Sequence, residues 1–258
     1  MYNAASGGAK APKFTYRFLS EAGEGEPSQP KQAANPSYPF LIILVCVTAI
    51  IPSAWAGPIS LTTLFNTGVA NDGTRLADGA VDPHYSLTLS PDPNYPGPAA
   101  FAGHVSLWVA NTSTSKWIGP DPSFDYVASG NYIYRTTFYL PQDFDPNKDV
   151  ASITGVWATD NTGIDILING VSTGNSIPYG EWGVSESWRT LSSLSINTGF
   201  AAGLNTLDFV IWNEGCNTGL QARMTGSYTI QPSPVPEPSE LLLCIGLGAV
   251  GLVGWRWK

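Results

Sequence analysis

The sequence predicts an all-β fold, a jelly-roll-like two-sheet β-sandwich, and three observations carry that prediction. Of 258 residues only 12% are charged, while 27 are glycine, 21 are proline and 12% are aromatic. A helical protein of this size would need more Ala, Glu, Lys and Leu, so this balance suits short strands joined by tight turns. Second, apolar and polar residues alternate with period two in several short runs, the spacing that puts one face of a strand inward. Third, Asn169-Gly170 follows an apolar run and is the strongest two-residue hairpin signal in the chain. The predicted sandwich occupies residues 57–232, between a leader with a signal helix at 1–56 and a tail with a short transmembrane helix at 233–258.

The leader comes first. An uninterrupted apolar run from Phe40 to Ile51 is short for a bilayer span and right for a signal-peptide core. Pro52 breaks it, and Ala54-Trp55-Ala56 before Gly57 gives the small-x-small pattern that a signal peptidase accepts. Cleavage is therefore expected after Ala56. The stretch ahead of the core is long, with Lys10, Lys13, Arg17 and Lys31 diluted by Glu21, Glu24 and Glu26. An extended signal peptide or a start downstream of Met1 would account for it, and residues 1–56 are set aside from the fold.

Within the body the strand-like runs follow in order. Val105, Leu107 and Val109 alternate with His104, Ser106 and Trp108, and YIYRTTFYL at 132–140 is aromatic and β-branched. Ile164 to Ile168 lead into the Asn169-Gly170 turn. Leu207, Phe209 and Ile211 alternate with Thr206, Asp208 and Val210, and a last strand is expected from Leu220 to Ile230. Clusters such as SPDPNYPGPAA at 90–100 read as turns or surface loops. Trp157 and Trp212 stand inside strand-like runs and are assigned to the core. No fixed-period repeat argues for a propeller or solenoid.

The tail has three parts. Val235-Pro236-Glu237-Pro238 is an extended linker, Leu241 to Val253 is apolar, and Trp255-Arg256-Trp257-Lys258 closes the chain. The basic residues favour a cytoplasmic tip and the tryptophans suit the membrane interface. This order resembles the PEP-CTERM sorting signal of Gram-negative bacteria that make exopolysaccharide. The resemblance rests on Val235, Pro236, Glu237, Pro238, Arg256 and Lys258, with a basic tip sparser than the common pattern. It implies export through signal peptidase and recognition by an exosortase, a membrane cysteine transpeptidase. An intermediate anchored in the inner membrane and delivery to the cell surface or extracellular matrix would follow. A simple tail anchor is the plainer alternative.

Phrases in the body are similar to galactose-binding-like jelly rolls found in other PEP-CTERM exoproteins. They are Asp82-Pro83-His84-Tyr85, Ser115-Lys116-Trp117-Ile118, Gly130 to Arg135, Ala158-Thr159-Asp160-Asn161, Ile168-Asn169-Gly170 and Asn205 to Asn213. Such folds imply carbohydrate recognition or an architectural role, often with a structural calcium ion. Function must still be argued from a site.

A net charge of −8 and a pI near 4.6 exclude nucleic acid as a partner. Cys46 and Cys244 lie in the two apolar runs, so Cys216 alone is in the body, without a disulfide partner or a zinc-like cluster. Catalysis would need a carboxylate pair such as Asp143 with Asp145, Asp160 with Asp165, or Glu181 with Glu186, or Cys216 with His84 or His104. Acids in such a chain more often form loops, and no hydrolase or phosphate-binding motif is present. Calcium would draw on Asp72, Asp78, Asp82, Asp160 and Asn161, which stand in turn-like contexts without EF-hand spacing.

For a glycan the informative residues are aromatic, because C–H faces of sugars stack on indole and phenol rings while polar groups bind hydroxyls. IPYGEWGVSESWRTL at 177–191 offers Tyr179, Trp182 and Trp188, and Trp117 is a further candidate. Ice binding needs a regular threonine array, to which only Thr112-Ser113-Thr114 comes close. The expectation is an exported, non-catalytic surface or exopolysaccharide-matrix protein, structural or glycan-binding. A carbohydrate-active hydrolase working through a carboxylate pair is the alternative.

Overall fold

The computed structural model describes residues 57–178 and 187–232. The expected signal helix and C-terminal helix lie outside these residues, and among the described residues there is no helix. Eleven strands follow one another: β1 (Ile59–Ser60), β2 (Val81–Leu89), β3 (Ala99–Gly103), β4 (Trp117–Gly119), β5 (Gly130–Leu140), β6 (Val150–Asp160), β7 (Thr162–Ile168), β8 (Val171–Ser172), β9 (Ser192–Ile196), β10 (Gly203–Asn213) and β11 (Gly219–Thr229).

All pairings are antiparallel, in the order β8-β7-β10-β5-β2-β3-β4-β11-β6-β9, with β1 on β11. The sheet curls, so that β7, β10 and β5 face β11, β6 and β9, and the short β3 and β4 bridge the two halves. This is a jelly-roll-like sandwich closed along one side by its own hydrogen-bond ladder.

Alternation fills the space between the layers. On β5, Tyr132, Tyr134, Phe138 and Leu140 are buried while Asn131, Thr137 and Tyr139 are exposed. Opposite them in register, Leu207, Phe209 and Ile211 of β10 are fully buried. Trp157 of β6 reaches across the core to within 5.8 Å, centroid to centroid, of Phe209. The hairpin is as expected: Asn169 and Gly170, at φ 51° and 80°, join Ile168 to its partner Val171, the two positive φ values of a type I′ turn.

Two crossings between the layers meet at one corner. Asn161 alone separates β6 from β7, though these strands belong to opposite layers, and residues 214–218 carry β10 over to β11. Side chains stitch the corner. The Asn161 carbonyl accepts from Thr159 Oγ1 at 2.9 Å and from Ser187 Oγ, and the Asp160 carbonyl accepts from Thr218 Oγ1. Asn161 Oδ1 accepts from Glu214 N at 2.9 Å.

The expected strand at 105–109 is instead a turn followed by irregular chain. Trp108 is buried and Leu107 is 69% exposed, the inverse of the predicted alternation. The cause is a second small core. Trp108, Trp117, Phe124 and Ala158 form a separate cluster, with Val105, Val109, Trp188 and Leu191 packed against it. Trp108 lies 4.4 Å from Trp117 and 5.8 Å from Phe124, centroid to centroid. Burying that indole stabilises the loop more than a paired edge at Leu107 would, since a large aromatic side chain is worth about 3 kcal/mol on leaving water.

Candidate functional site

The second core supports one side of a polar cleft of ≈ 340 Å³, lined by Arg75, Asp78, His104, Ala110, Asn111 and Lys116. That volume is at the small end of the roughly 300–1,000 Å³ of small-molecule sites. Three stretches of chain build it, each held from below.

Arg75 and Asp78 stand on the connection between β1 and β2. A tight turn forms there, with Ala70 N donating to Thr74 O at 2.8 Å and Asp72 Oδ1 accepting from Thr74 N at 2.9 Å. Gly73 takes the required positive φ of 79°. The turn is tied to β3 by Gly79 N on Ala102 O and Ala102 N on Ala80 O, both 2.8 Å. His104 follows β3 directly. Asn111 then clamps the returning loop: its Nδ2 donates to Gly103 O at 3.1 Å and its Oδ1 accepts from Trp117 N at 2.9 Å. Lys116 precedes β4, and its backbone N donates to Thr67 O at 2.8 Å.

The charges are unequally placed. The Lys116 side chain is only 6% exposed, whereas that of Asp78 is 75% exposed. Lys116 Nζ donates to Leu76 O at 2.8 Å and lies 2.5 Å from Asp78 Oδ1. Arg75 rests against Thr112 O through Nη1 at 3.4 Å. The hydrogen bond and charge of Lys116, with smaller contributions from His104 and Arg75, hold the Asp78 carboxyl below its ordinary pKa. Behind the loop, Gln221 Nε2 sits 3.5 Å from Ala110 O and 3.4 Å from Asn111 Oδ1, while its buried Oε1 has no partner. The cleft therefore offers donors from a guanidinium, an ammonium, an imidazole and an amide, and one exposed carboxylate acceptor. That set suits a ligand rich in hydroxyl or anionic oxygen.

The residues singled out in the sequence fall in several places. Tyr179 and Trp182 lie outside the described residues, as do Ala54, Ala56, Val235, Pro236, Glu237, Pro238, Arg256 and Lys258. Gly57 is exposed at the start of the described region. Trp117 corrects the sequence reading: it is 0% exposed, and its Nε1 donates to Val109 O at 2.8 Å, so no face is open to a sugar. Trp188 is half-buried on the same cluster, with the Arg189 guanidinium 4.3 Å above its ring and its carbonyl accepting from Val109 N at 2.7 Å. It braces the cleft loop. Trp157 is in the core as expected. Trp212 is not, being 41% exposed on the outer face of β10 between Asn131 of β5 and Thr162 of β7.

The proposed calcium ligands do not converge. Asp72 serves its own turn, and Asp78 serves Lys116. Asp82 accepts from Gly68 N at 2.6 Å, His84 N at 2.8 Å and Tyr85 N at 3.2 Å. Asp160 and Asn161 belong to the crossing corner. Among the described residues no group of three or more His, Cys, Asp or Glu is arranged to hold a metal ion. Of the carboxylate pairs, Asp145 stands in a turn, its Oδ1 accepting from Asn147 N at 3.0 Å, while Asp165 lies within β7, its Oδ1 accepting from Ile166 N at 2.8 Å. Glu181 and Glu186 lie outside the described residues. Cys216 makes its sulfur contacts with Asn161, Asn213 and Asn217, and burial pushes its thiol pKa up, away from the reactive thiolate.

Sequence reasoning did not assemble Arg75, His104, Asn111 and Lys116. A usable signal was present, because Lys or Arg stands at only six positions between 57 and 232 (75, 116, 135, 148, 189 and 223), and two of them line this cleft.

No protein-family model and no curated protein matches the chain. Among solved structures it is similar to a family 35 carbohydrate binding module from Clostridium thermocellum, at 11% identity and a TM-score of 0.28, covering 66% of this chain and 98% of that one. It is also similar to the CBM36-1 domain of a multidomain xylanase from the hindgut metagenome of Trinervitermes trinervoides, at 11% identity and a TM-score of 0.26, covering 69% and 98%. A third likeness, to a carbohydrate-binding module CBM36 in complex with calcium and xylotriose, has 11% identity and a TM-score of 0.25, covering 67% and 99%. Likenesses this distant carry no ligand or metal over to this chain.

Proposed function

We propose that this is an exported, non-catalytic glycan-binding protein, delivered by its PEP-CTERM tail to the cell surface or the exopolysaccharide matrix. The observation that carries the binding half is the cleft between Arg75, Asp78, His104, Asn111 and Lys116. Its donors stand on loops tied to the sandwich by the bonds to Thr67, Ala102 and Gly103, and a polar site of that kind recognises sugar hydroxyls by direct hydrogen bonds. The tail, signal core and Ala54-Trp55-Ala56 site support the export half by their order in the sequence. Tyr179 and Trp182 would add stacking surfaces.

The test is retention of the full chain, in a non-glycosidic detergent, on immobilised polysaccharides with and without calcium. Binding without release of reducing ends is expected. Turnover abolished by substituting one of Asp143, Asp145, Asp160, Asp165, Glu181 or Glu186 would instead establish the hydrolase. A folded protein retained by no polymer would leave only a structural matrix role.

A further inference from the structure

We infer that the cleft takes an acidic glycan, and that the anionic group of one sugar replaces Asp78 as the counter-ion of Lys116. This rests on the cleft being the glycan site, and it names the class of sugar.

The first observation is where the positive charge lies. Between residues 57 and 232 there are six Lys or Arg against fifteen Asp or Glu. Arg135 is committed to Asp208 by a bidentate pair at 2.6 and 2.7 Å, and Arg189 lies on Trp188. Arg75 and Lys116 nevertheless stand together with His104 in one cleft. An acidic molecule that gathers its scarce cations around a concavity presents a local attraction for anions, opposite to its net charge.

The second observation is what those cations already hold. Lys116 Nζ holds the carboxylate of Asp78 at 2.5 Å, and Arg75 and His104 line the same cleft beside it. Asp78 thus reports that a carboxylate is accepted at this position. The pair is lopsided in solvation. With its side chain 6% exposed, Lys116 needs a counter-charge at all times, whereas Asp78 at 75% exposed swings into water at little cost. A ligand carboxylate or sulfate preserves the charge balance at Lys116 and gains the guanidinium of Arg75 as well. A neutral sugar has no such exchange to offer and would have to bind around an intact Lys116–Asp78 pair.

The third observation is that Lys116 is fixed. Its backbone N is bonded to Thr67 O, and Gly68, at φ 66°, lies so close that a Cβ there would sit 2.4 Å from Lys116 Cβ. The ammonium does not follow a departing Asp78 into solvent, so the vacated position stays positive.

The consequence separates two roles for Asp78. As a hydrogen-bonding acceptor for a neutral sugar, its loss weakens binding. As a competing counter-ion, its neutralisation strengthens binding, because a like charge about 5 Å from the ligand in a water-filled cleft is worth roughly fourfold in affinity.

The experiment measures affinity of the full chain for polygalacturonate, dextran sulfate and neutral dextran, scored per folded molecule by circular dichroism. The variants are Asp78→Asn, Arg75→Gln and, as a net-charge control in an exposed loop, Asp143→Asn. Binding to either anionic polymer is expected, about fourfold tighter for Asp78→Asn, several-fold weaker for Arg75→Gln, unchanged for Asp143→Asn and weaker at high salt. The preferred polymer distinguishes carboxylate from sulfate. Equal gains for Asp78→Asn and Asp143→Asn would overturn the inference. So would binding to neutral dextran that both Asp78→Asn and Arg75→Gln weaken, and that outcome would keep the glycan-binding reading. Retention on no polymer at all would sink both together.

Discussion

Trp117 and Trp157 are both 0% exposed, yet they differ in one atom's circumstances. Trp117 Nε1 donates to Val109 O at 2.8 Å, whereas Trp157 Nε1 is buried without a partner. Replacing either by phenylalanine removes the same atoms and leaves a similar small void, so transfer and cavity losses cancel to first order between the two variants. The hydrogen bond does not cancel. Trp117→Phe loses a bond and strands a half-buried carbonyl, a loss of about 1–3 kcal/mol. Trp157→Phe removes an N–H whose burial already costs a comparable amount. The expected difference is therefore about 2 kcal/mol or more, with Trp157→Phe the milder. At an m-value of about 2 kcal/mol per molar urea this separates the unfolding midpoints by roughly 1 M. Equilibrium urea unfolding followed by circular dichroism measures it directly. Coincident midpoints would refute the reasoning and point to a buried water on Trp157 Nε1.

Other substitutions probe the cleft and its frame. Gly68→Ala should lower stability by ~2 kcal/mol, from its positive φ and its clash with Lys116, and should weaken glycan retention as well; thermal melts and retention assays check the two effects. Arg135→Met strands Asp208, whose side chain is 6% exposed, and should cost about 2 kcal/mol. The double variant Arg135→Met/Asp208→Leu should recover part of that loss in the same urea assay. Burial raises the Asp82 carboxyl pKa despite its three N–H donors. The folded state then holds this proton more tightly than the unfolded chain, so its protonation adds stability as pH falls through the folded pKa, and that contribution is lost as pH rises again. Wild type should accordingly gain on Asp82→Asn between pH 7 and pH 4, read from urea midpoints along the series. Replacing Pro236-Glu237-Pro238 by three alanines should leave the chain unprocessed in the membrane fraction of an exosortase-bearing host, as a blot against the body would show.

How much of this was legible in the sequence depended on whether one period governed the residues. β5, the β7–β8 hairpin and β10 were legible because a single core lies on one side of each, and alternation then names the inward face. The same alternation should have placed Trp212 outside, since Leu207, Phe209 and Ile211 take the inward positions and residue 212 falls opposite. Residue type outweighed position there. Trp108 and Trp117 were misread for a different reason. Their cluster is built from 105–124, Ala158 of β6 and the segment after Ser187, so it has no period within any one stretch. The cleft is illegible on the same ground. Arg75 comes from the β1–β2 connection and His104 and Lys116 from opposite ends of the β3–β4 connection, and only the β3–β4 pairing and the bonds that tie residues 79–80 to Ala102 bring them together.

Lys116 is where fold and proposed function meet. It directly precedes β4, the strand on which the sheet turns from one layer to the other, so its backbone is fixed by Thr67 on one side and by Trp117 in the second core on the other. A lysine so constrained loses side-chain freedom and hydration, and for holding a loop closed either cost is avoidable: a methionine would fill the same stem space without a charge to neutralise. What methionine would not supply is a cation at the foot of an open cleft with an exchangeable, exposed partner. A purely structural Lys116–Asp78 pair predicts that Lys116→Met/Asp78→Leu is as stable as wild type and binds glycans equally well. The counter-ion role predicts equal or greater stability with anionic-glycan binding lost, so the stability readout shows that the variant is folded and the binding readout decides between the two.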